Sequence, residues 1–369
     1  SVTMLRIHAA DVNLFNASRD AWNDLVRSMN RPSIFSTWEW IHGWVRILGH
    51  TYQPLLLFAY QGDTLVGILP FAVKSMRIED GVVPGRAITF CGSRELYPDH
   101  MDVIASAEHA VECMHAAMHY LSTDFKSWDV MHLSHVSDDA ELLSYIRAEY
   151  PEPDIQNVSQ APYIPIRDTF DGSYEKYMMS LSRNKRHDLR RRSKKLIVED
   201  GVLYEADDPK SNAHCIRTLF SLHKMRADSK GIETTFSGDT LQTFHEEIAG
   251  LFQDRGWLTL RVMRQGVKAL ASLYCFTFEG RVFAYQTGID PAWEPRGIGS
   301  AILFNMVEEA FQRNCIEFDF LRGGEDYKGS WTEHSRTQYT VNIYNNSVAG
   351  QMIRETGKVR ALAKRWIKG

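Results

Sequence analysis

Between residues 257 and 331 the pattern of apolar and polar positions changes from strand-like to helical and back. Apolar runs at 257–263, 267–278 and 281–289 are separated by short glycine turns, which predicts three strands joined by two hairpins. After a further glycine-rich turn, apolar residues recur at the spacing of one helix face, namely Leu303, Val307, Ala310 and Phe311. The run 316–321 predicts a closing strand that leads into a polar, glycine-opened loop. Such a loop suits a reaction site.

The turn before the predicted helix has the composition of an anion site. Glycine lacks a Cβ, so a ligand can approach the backbone closely, and the first amides of a helix have no partner within that helix. A helix start of this kind favours a phosphate group. Glycine before a helix is equally common as ordinary turn chemistry. The candidate cofactor-binding residues are Arg296, Gly297, Ile298, Gly299 and Ser300.

The order of antiparallel strands, glycine turn, helix and strand resembles the acyl-CoA-binding half of GNAT acyltransferases. In that family the pyrophosphate of CoA lies on the helix start, so the resemblance implies acyl-CoA, in particular acetyl-CoA, as co-substrate. The family turn carries Gln or Arg three residues before its first closing small residue. Glu294 stands at that place here, and Arg296 is the candidate substitute. The run 318–328 resembles more specifically the Fem-like (FemAB-like) and cellulose-associated (CelD-type) branch of double-GNAT proteins.

The loop after the closing strand contains groups suited to acyl transfer onto an amine. That reaction needs a deprotonated nucleophile, stabilisation of an oxyanion and a proton for the leaving thiolate. A carboxylate can act as base, a phenol as proton donor and an ammonium group can stabilise negative charge. Resemblance to Fem-type enzymes favours Lys328 for the last role, although charged residues can also simply solvate a loop. The candidate catalytic residues are Glu325, Asp326, Tyr327 and Lys328.

The first part of the chain repeats this order in a weaker form. Gln61-Gly62 before the apolar run 65–71 parallels Gln265-Gly266 before the run 269–275, which indicates an internal duplication. We therefore predict an α/β (α+β) fold with two GNAT-like domains. Each domain is expected to contain a mixed, mainly antiparallel sheet flanked by helices.

The two predicted domains have different expected roles. A proline-rich stretch that ends at Pro165 places the boundary there and gives domains 1–165 and 166–369. Because the N-terminal domain lacks the glycine turn, we expect it to shape the acceptor site and not to bind CoA. Its aromatic helix start at 35–44 fits core packing or, by resemblance, a position near the groove between the domains. Its candidate substrate-binding residues are Trp38, Asp99 and His100.

A strongly basic helix is predicted at 173–198. Its part from residue 183 to 198 carries eight arginine and lysine side chains against the single acidic Asp188, and cations at four-residue spacing share a face. A charge run can be a solvated face, but cations that repel one another gain most from a nearby anion. A nucleotide-linked sugar, tRNA and CoA all supply such a phosphate. The candidate substrate-binding residues here are Arg183, Arg186 and Arg190.

Composition narrows the class of protein further. The 369 residues carry a net charge of −4, so any attraction to a polyanion has to be local. Five scattered cysteines without a C-x-x-C pair indicate a reducing compartment, and we expect a cytoplasmic protein without a transmembrane segment.

His115 and His119 have the spacing of two metal ligands on one helix face but no accompanying motif, so no metal is predicted. A basic amphipathic helix at 357–369 predicts packing on the protein or peripheral membrane contact.

Three functions follow from the sequence. The first is an N-acyltransferase that moves an acyl group, in particular acetyl, from acyl-CoA to an amine acceptor, which is a small or nucleotide-linked molecule of surface polysaccharide or envelope assembly. The second is a Fem-type transferase that uses aminoacyl-tRNA. The third is a non-catalytic polyanion-binding protein on a GNAT scaffold. The glycine turn favours the first, and Glu294 keeps the other two open.

Overall fold

The computed structural model describes residues 4–78, 83–207, 215–322 and 330–368, and for residues 78, 215 and 359–368 it describes only the backbone. The chain forms two compact units. Unit 1 consists of Ser1–Ser159 together with Thr337–Gly369, and unit 2 is Gln160–Arg336. Each unit is treated separately below.

The N-terminal part of unit 1 contains strands and helices in alternation. The strands are β1 (Arg6–Ala9), β2 (Gln53–Gln61), β3 (Thr64–Ile78), β4 (Val83–Phe90), β5 (Ile104–Ala105) and β6 (Val130–Ser137). The helices are α1 (Val12–Ala17), α2 (Arg19–Ser28), α3 (Trp38–Ile47), α4 (Ala110–Thr123) and α5 (Glu141–Glu149). Strand β7 (Asp154–Ile164) then crosses the boundary between the units.

Unit 2 follows the same alternation. Its helices are α6 (Tyr174–Ser180), α7 (Arg183–Lys194), α8 (Cys215–Ser229), α9 (Asp239–Arg255) and α10 (Ile298–Gln312). Its strands are β8 (Val202–Ala206), β9 (Leu258–Gln265), β10 (Lys268–Phe278), β11 (Arg281–Ile289) and β12 (Glu317–Asp319). The chain ends with β13 (Ser335–Tyr344) and α11 (Val348–Lys368).

Within each unit the strand pairing is mixed and mainly antiparallel, as predicted. In unit 1 the strand order is β1-β2-β3-β4-β6-β13, and only the β4/β6 pair is parallel. In unit 2 the order is β7-β12-β11-β10-β9-β8, and only the β11/β12 pair is parallel. In each unit a helix joins the two parallel strands, α4 in one case and α10 in the other. The α/β (α+β) prediction is confirmed.

The two sequence repeats lie at equivalent turns. Gly62 closes the β2/β3 hairpin at φ 60°, and Gly266 closes the β9/β10 hairpin at φ 59°. A two-residue hairpin turn needs positive φ at its first central position, which glycine adopts without strain. The duplication therefore preserves the turn geometry that sets the register of each hairpin.

The core of unit 2 forms on the predicted face of α10. Leu303, Val307, Ala310 and Phe311 are all buried there. Tyr177 of α6 stacks on Phe311 with ring centroids 5.4 Å apart, so the short helix α6 anchors on α10. This packing positions α6, and with it the start of α7, relative to the start of α10.

The predicted single helix at 173–198 is wrong, because the chain breaks between α6 and α7. Leu181 is extended and buried, and the Ser182 side chain accepts a hydrogen bond from the Lys185 amide, which starts a new helix. The helix then continues past Lys194 as a short π-helical turn to Glu199. The break allows the basic segment to follow a direction different from that of α6.

The C-terminal residues belong to unit 1, whereas a division at residue 165 predicts that they belong to the second domain. Residues of β13 from Gln338 onwards pair antiparallel with β6, so that 337–369 belong to unit 1. The sequence has no local signal for this return, because strand pairing over about 200 positions depends on tertiary packing and not on periodicity. The predicted C-terminal helix is part of α11, whose side chains beyond Lys358 lie outside the described residues.

Candidate functional site

Helix α10 starts from a turn in which one residue has a positive φ angle, a conformation that glycine adopts without strain. Asp290 accepts a hydrogen bond from the Ala292 amide and so caps a short 3-10 turn over Pro291–Arg296. Gly297 ends that turn at φ 76° and is at the same time the N-cap of α10. A side chain with a Cβ is disfavoured in this left-handed region. The turn thus delivers the chain from the end of β11 directly to the α10 N-terminus.

No side chain caps α10. The first intrahelical bond runs from the Ala301 amide to the Gly297 carbonyl, so the amides of Ile298, Gly299 and Ser300 precede the helical ladder. Together with the helix dipole they favour a bound anion at this end of α10. Gly299 has an additional packing role, because a Cβ there would lie 2.6 Å from Cδ1 of Ile289.

Two arginines lie next to this helix start. The guanidinium of Arg192 from α7 comes within 2.8 Å of the place where a Cβ of Gly297 would be. Arg296 lies over the Trp293 ring, 4.4 Å from its centroid, and 3.6 Å from an Asp200 carboxylate oxygen. Cations are unfavourable at the positive end of a helix, so a ligand anion between them would relieve this repulsion.

The basic helix α7 also contacts Trp331, a residue that follows the predicted reactive loop in the sequence. Nζ of Lys185, near its start, lies 4.8 Å from the centroid of the buried Trp331 ring. Burial lowers the pKa of Lys185. Since Trp331 follows the loop 323–329 by two residues and Arg192 lies at the α10 start, α7 connects the two predicted parts of the site.

The strand β11 has an open edge near the α10 start. It pairs with β12 only through Arg281, Val282 and Phe283, whereas it pairs with β10 up to Ile289. The segment 284–289 has no pairing with β12, because β12 ends at Asp319. Within the described residues, the backbone groups on this side of 284–289 have no strand partner, and such groups can hydrogen bond an extended ligand.

Helix α8 packs directly across this part of β11. A Cβ on Gly288 would lie 2.9 Å from Cβ of Leu222 and 3.0 Å from the Leu219 carbonyl oxygen, so glycine allows the close approach. His223 of α8 lies 2.7 Å from Oγ1 of Thr234 and 3.2 Å from Oε1 of Gln286 on β11. Burial, with a smaller contribution from the charge of a nearby arginine, lowers the pKa of His223. The lowered pKa favours the neutral imidazole beside β11, and both ring nitrogens have hydrogen-bond partners in Thr234, Thr235 and Gln286.

The same segment gives the decisive comparison. Residues 183–329 match the family model of the acetyltransferase (GNAT) domain. The match starts at α7 and covers the glycine turn, α8, β11, α10 and β12, whereas Trp331 lies two residues beyond its end. We call these residues the GNAT domain.

Solved structures of low sequence identity share the fold over most of this chain. FemX is 10% identical, with a TM-score of 0.59 over 91% of this chain and 96% of that chain. L-PGS from Bacillus licheniformis is 12% identical, with a TM-score of 0.58 over 95% and 97%. A tandem GNAT protein from the clavulanic acid biosynthesis pathway is 10% identical, with a TM-score of 0.52 over 93% and 99%. The predicted tandem GNAT-like fold is therefore confirmed. No curated protein sequence matches the chain.

The predicted cofactor residues come together in the GNAT domain, but Glu294 differs in role. Its carboxylate lies 3.1 Å from Arg226 of α8 and 3.9 Å from Lys230, the residue after α8. Glu294 therefore links the turn to the C-terminal end of α8. An acidic residue at this place is thus held by cations of the chain itself. Arg192, which the sequence pattern marks only as part of a charge run, lies against Gly297.

The predicted phosphate-binding arginines of α7 have different surroundings. Arg183 and Arg190 are exposed. Arg186 donates to the Leu181 carbonyl at 2.7 Å and, at longer range, to the carbonyls of Met178 and Met179. These carbonyls lie at the end of α6, where the Met178 carbonyl also accepts from the Leu181 amide, so Arg186 caps that helix.

We expect Arg186→Ala to lower the free energy of unfolding by about 1.5 kcal/mol, because a charge-assisted cap is lost. Guanidinium unfolding followed by circular dichroism would measure it. Arg183→Ala removes the same charge from an exposed position of the same helix and should change the value by less than about 0.5 kcal/mol. Equal stability of both variants would show that the cap contributes nothing.

Of the candidate residues of unit 1, Asp99 and His100 are buried and Trp38 is half-buried. The indole of Trp38 donates to the Phe15 carbonyl at 2.9 Å and stacks on His42 with centroids 4.2 Å apart. Asp99 and His100 are both buried, and the His100 ring contacts the Ser137 hydroxyl. The structure therefore gives Trp38 and His100 partners within unit 1.

The candidate catalytic residues Glu325, Asp326, Tyr327 and Lys328 lie outside the described residues. Within the described residues, no group of three or more His, Cys, Asp and Glu side chains could hold a metal ion. No helix in that same part of the chain has the length and apolar character needed to cross a membrane.

Proposed function

We propose that the chain is an N-acyltransferase that takes an acyl group, in particular acetyl, from acyl-CoA. The observation that carries the proposal is the uncapped start of α10 with Gly297 at positive φ and two arginines beside it. The match of the GNAT domain to acetyltransferases supports it. The pyrophosphate of CoA would lie on the first amides of α10, between Arg192 and Arg296.

The donor's extended arm would then follow the open edge of β11. Pairing with the backbone groups of 284–289, which have no β12 partner in the described residues, would direct the thioester beyond the end of β12, where the chain continues into residues 323–329. In that loop we propose Glu325 or Asp326 as base, Tyr327 as proton donor and Lys328 as the group that stabilises the oxyanion. His223, neutral and next to Gln286, is a second candidate for the base.

The acceptor is proposed to be an amine on a small or nucleotide-linked molecule of surface polysaccharide or envelope assembly, as the CelD-type resemblance implies. The exposed Arg183 and Arg190 of α7 would contact its phosphate. We place the reaction in the cytoplasm, in keeping with the free, buried cysteines of the described residues, Cys91, Cys113, Cys275 and Cys315.

Aminoacyl transfer is the second candidate. The likeness of the whole chain to FemX favours it, and the basic helix α7 could contact the phosphates of tRNA. The amine acceptor and the oxyanion would be the same in both reactions, so the donor alone distinguishes them.

A thermal-shift screen of the full chain with acetyl-CoA, longer acyl-CoAs and aminoacyl-tRNA tests the proposal, since a ligand that binds only the native state raises Tm. Stabilisation by acyl-CoA together with transfer to an amine supports acyl-CoA as donor. Stabilisation and transfer by aminoacyl-tRNA alone would replace it with the second candidate. Binding of both without transfer to any amine would leave a polyanion-binding protein.

We expect Lys328→Ala to lower the single-turnover rate about 100-fold while leaving acyl-CoA affinity nearly unchanged, because an oxyanion contact exists mainly in the transition state. Rapid-quench measurements and calorimetry separate the two effects. Lys176→Ala, at an exposed position of α6, is the control for a lost lysine. A parental rate in Lys328→Ala would show that this loop does not supply the stabilising charge.

A further inference from the structure

A polar cleft in unit 1 lies outside the GNAT domain. Its volume is about 1050 Å³, and all its lining residues belong to unit 1. They come from β3, β4 and the turn after it, β6, α5, the start of β7 with the residues just before it, β13 and α11. The volume is at the upper end of the range found for small-molecule sites.

One wall of the cleft is fixed by α11. Ile353 of α11 is fully buried against Val83 and Ala87 of β4 and Val130 of β6. A Cβ on Gly85 would lie only 3.0 Å from Cδ1 of Ile353, so the helix lies tightly on this face of the sheet. The cleft is therefore bounded by packed elements and not by a loop alone.

The floor contains a buried hydroxyl group without a partner. On β4, residues at alternate positions share a face, so Thr89 points to the same side as Ala87 and Val83, the side that α11 covers. Thr89 is 2% exposed and lines the cleft. Within the described residues its Oγ1 has no hydrogen-bond partner. An unpaired buried hydroxyl costs free energy, which a ligand acceptor would recover.

The remaining floor is polar but already ordered. His132 of β6 lies opposite Asn342 of β13, with Nδ1 2.7 Å from Oδ1. The Tyr344 hydroxyl donates to the Asp154 carboxylate. These contacts hold the imidazole and the phenol in place and engage one of the two carboxylates that line the cleft, Asp154 and Glu152.

The rim is positively charged. Four cations line it against those two carboxylates, namely Arg77, Arg94, Arg354 and Lys358. Arg94 donates to the thioether of Met76 at 3.5 Å, a weak acceptor for a guanidinium group. Arg354 and Lys358 are one helical turn apart on α11, so both extend from the same face of that helix.

We infer that this cleft binds a phosphate-bearing small molecule, with the rim cations on the phosphate oxygens and the Thr89 hydroxyl donating from the floor. Lys358 is also 3.5 Å from Glu355 of its own helix, so the lining holds three arginines and a partly offset lysine against two carboxylates, which suits an anion. One guanidinium group can donate two parallel hydrogen bonds to a phosphate group. The site is independent of the proposed acyl-CoA site, because none of its residues belongs to the GNAT domain.

Pyrophosphate binding measured by calorimetry at constant ionic strength tests the inference. The cleft variants Arg94→Gln and Arg354→Gln should each weaken binding about tenfold. Arg86→Gln removes the same charge from the opposite face of β4, and it is the matched control. Equal weakening by Arg86→Gln would reduce the effect to general electrostatics and overturn the inference.

Thr89→Val tests the floor without changing charge or volume. It should weaken pyrophosphate binding about fivefold, the loss of one hydrogen bond, while protein stability is unchanged or higher. Unchanged affinity in this variant would overturn the role of the hydroxyl. Citrate that binds as tightly as pyrophosphate would overturn the assignment to phosphate.

Pyrophosphate can also occupy the α10 start, so the two sites have to be separated. Heat of binding that persists in saturating acetyl-CoA and in Gly297→Val belongs to the cleft. The cleft variants should in turn keep parental acetyl-CoA affinity. Loss of all pyrophosphate binding in Gly297→Val, with the cleft variants unaffected, would assign pyrophosphate binding to α10 and overturn the inference. Failure of acetyl-CoA to bind, by itself, would overturn only the proposed function.

Discussion

Gly297→Val should weaken acyl-CoA binding about 100-fold, as when two charge-assisted phosphate contacts are lost. Valine is disfavoured at φ 76°, and its Cβ would lie 2.8 Å from a guanidinium nitrogen of Arg192. The variant therefore has two effects: it blocks the approach of a phosphate, and it displaces the guanidinium of Arg192. Calorimetry with acetyl-CoA measures the effect.

A matched glycine separates this effect from backbone strain. Gly266 has φ 59°, and a Cβ there would meet no atom within 4 Å. Gly266→Val carries a similar penalty for positive φ in the same unit but should keep parental acyl-CoA affinity. If Gly297→Val binds acyl-CoA as tightly as the parent protein, the donor does not lie on α10.

Arg336→Met should lower the free energy of unfolding by about 3–5 kcal/mol, the loss expected when one partner of a buried ion pair is removed. The Arg336 guanidinium lies 2.9 Å from Glu317 and 3.7 Å from Asp319, both buried on β12. It also covers the Tyr163 ring at 3.7 Å from the centroid. In the variant, Arg281 at 2.9 Å from Glu317 still offsets part of the buried negative charge.

Chemical denaturation of the full chain, with hydrogen exchange at β12, would measure this loss. Lys176→Met removes a cation from an exposed pair with Asp171, 2.7 Å away, and should cost less than about 1 kcal/mol. A loss of similar size in both variants would contradict a special role for the buried network. Because β12 borders the open edge of β11, we also expect Arg336→Met to weaken acyl-CoA binding.

Local patterns are enough for the elements that have their own periodicity. The three strands from Leu258 to Ile289 and the apolar face of α10 follow directly from alternation and from helical spacing, because each buries one face. The glycine turn also has a local signal, since positive φ leaves few choices of residue. The position of the candidate anion site at the α10 start therefore follows from the residue pattern alone.

Other features have no local signal. The helix predicted over 173–198 is divided because Leu181 is buried on the core and Ser182 caps a new helix, a choice made by packing. Its charge pattern suggests that Arg186 binds phosphate, whereas the fold places the guanidinium on the carbonyls of α6. A charge run shows that cations exist but not which carbonyl or carboxylate each one meets.

The sequence by itself determined the α/β class, the tandem order of elements and the glycine-based helix start, because these depend on periodicity and on backbone angles of single residues. Tertiary structure alone decided that β13 pairs with β6, that Arg192 lies against Gly297, and that Thr89 opens into a cationic cleft. Each of these joins residues far apart in the chain. Their contact energies depend on which surfaces the whole fold brings together, and no window of sequence contains both partners.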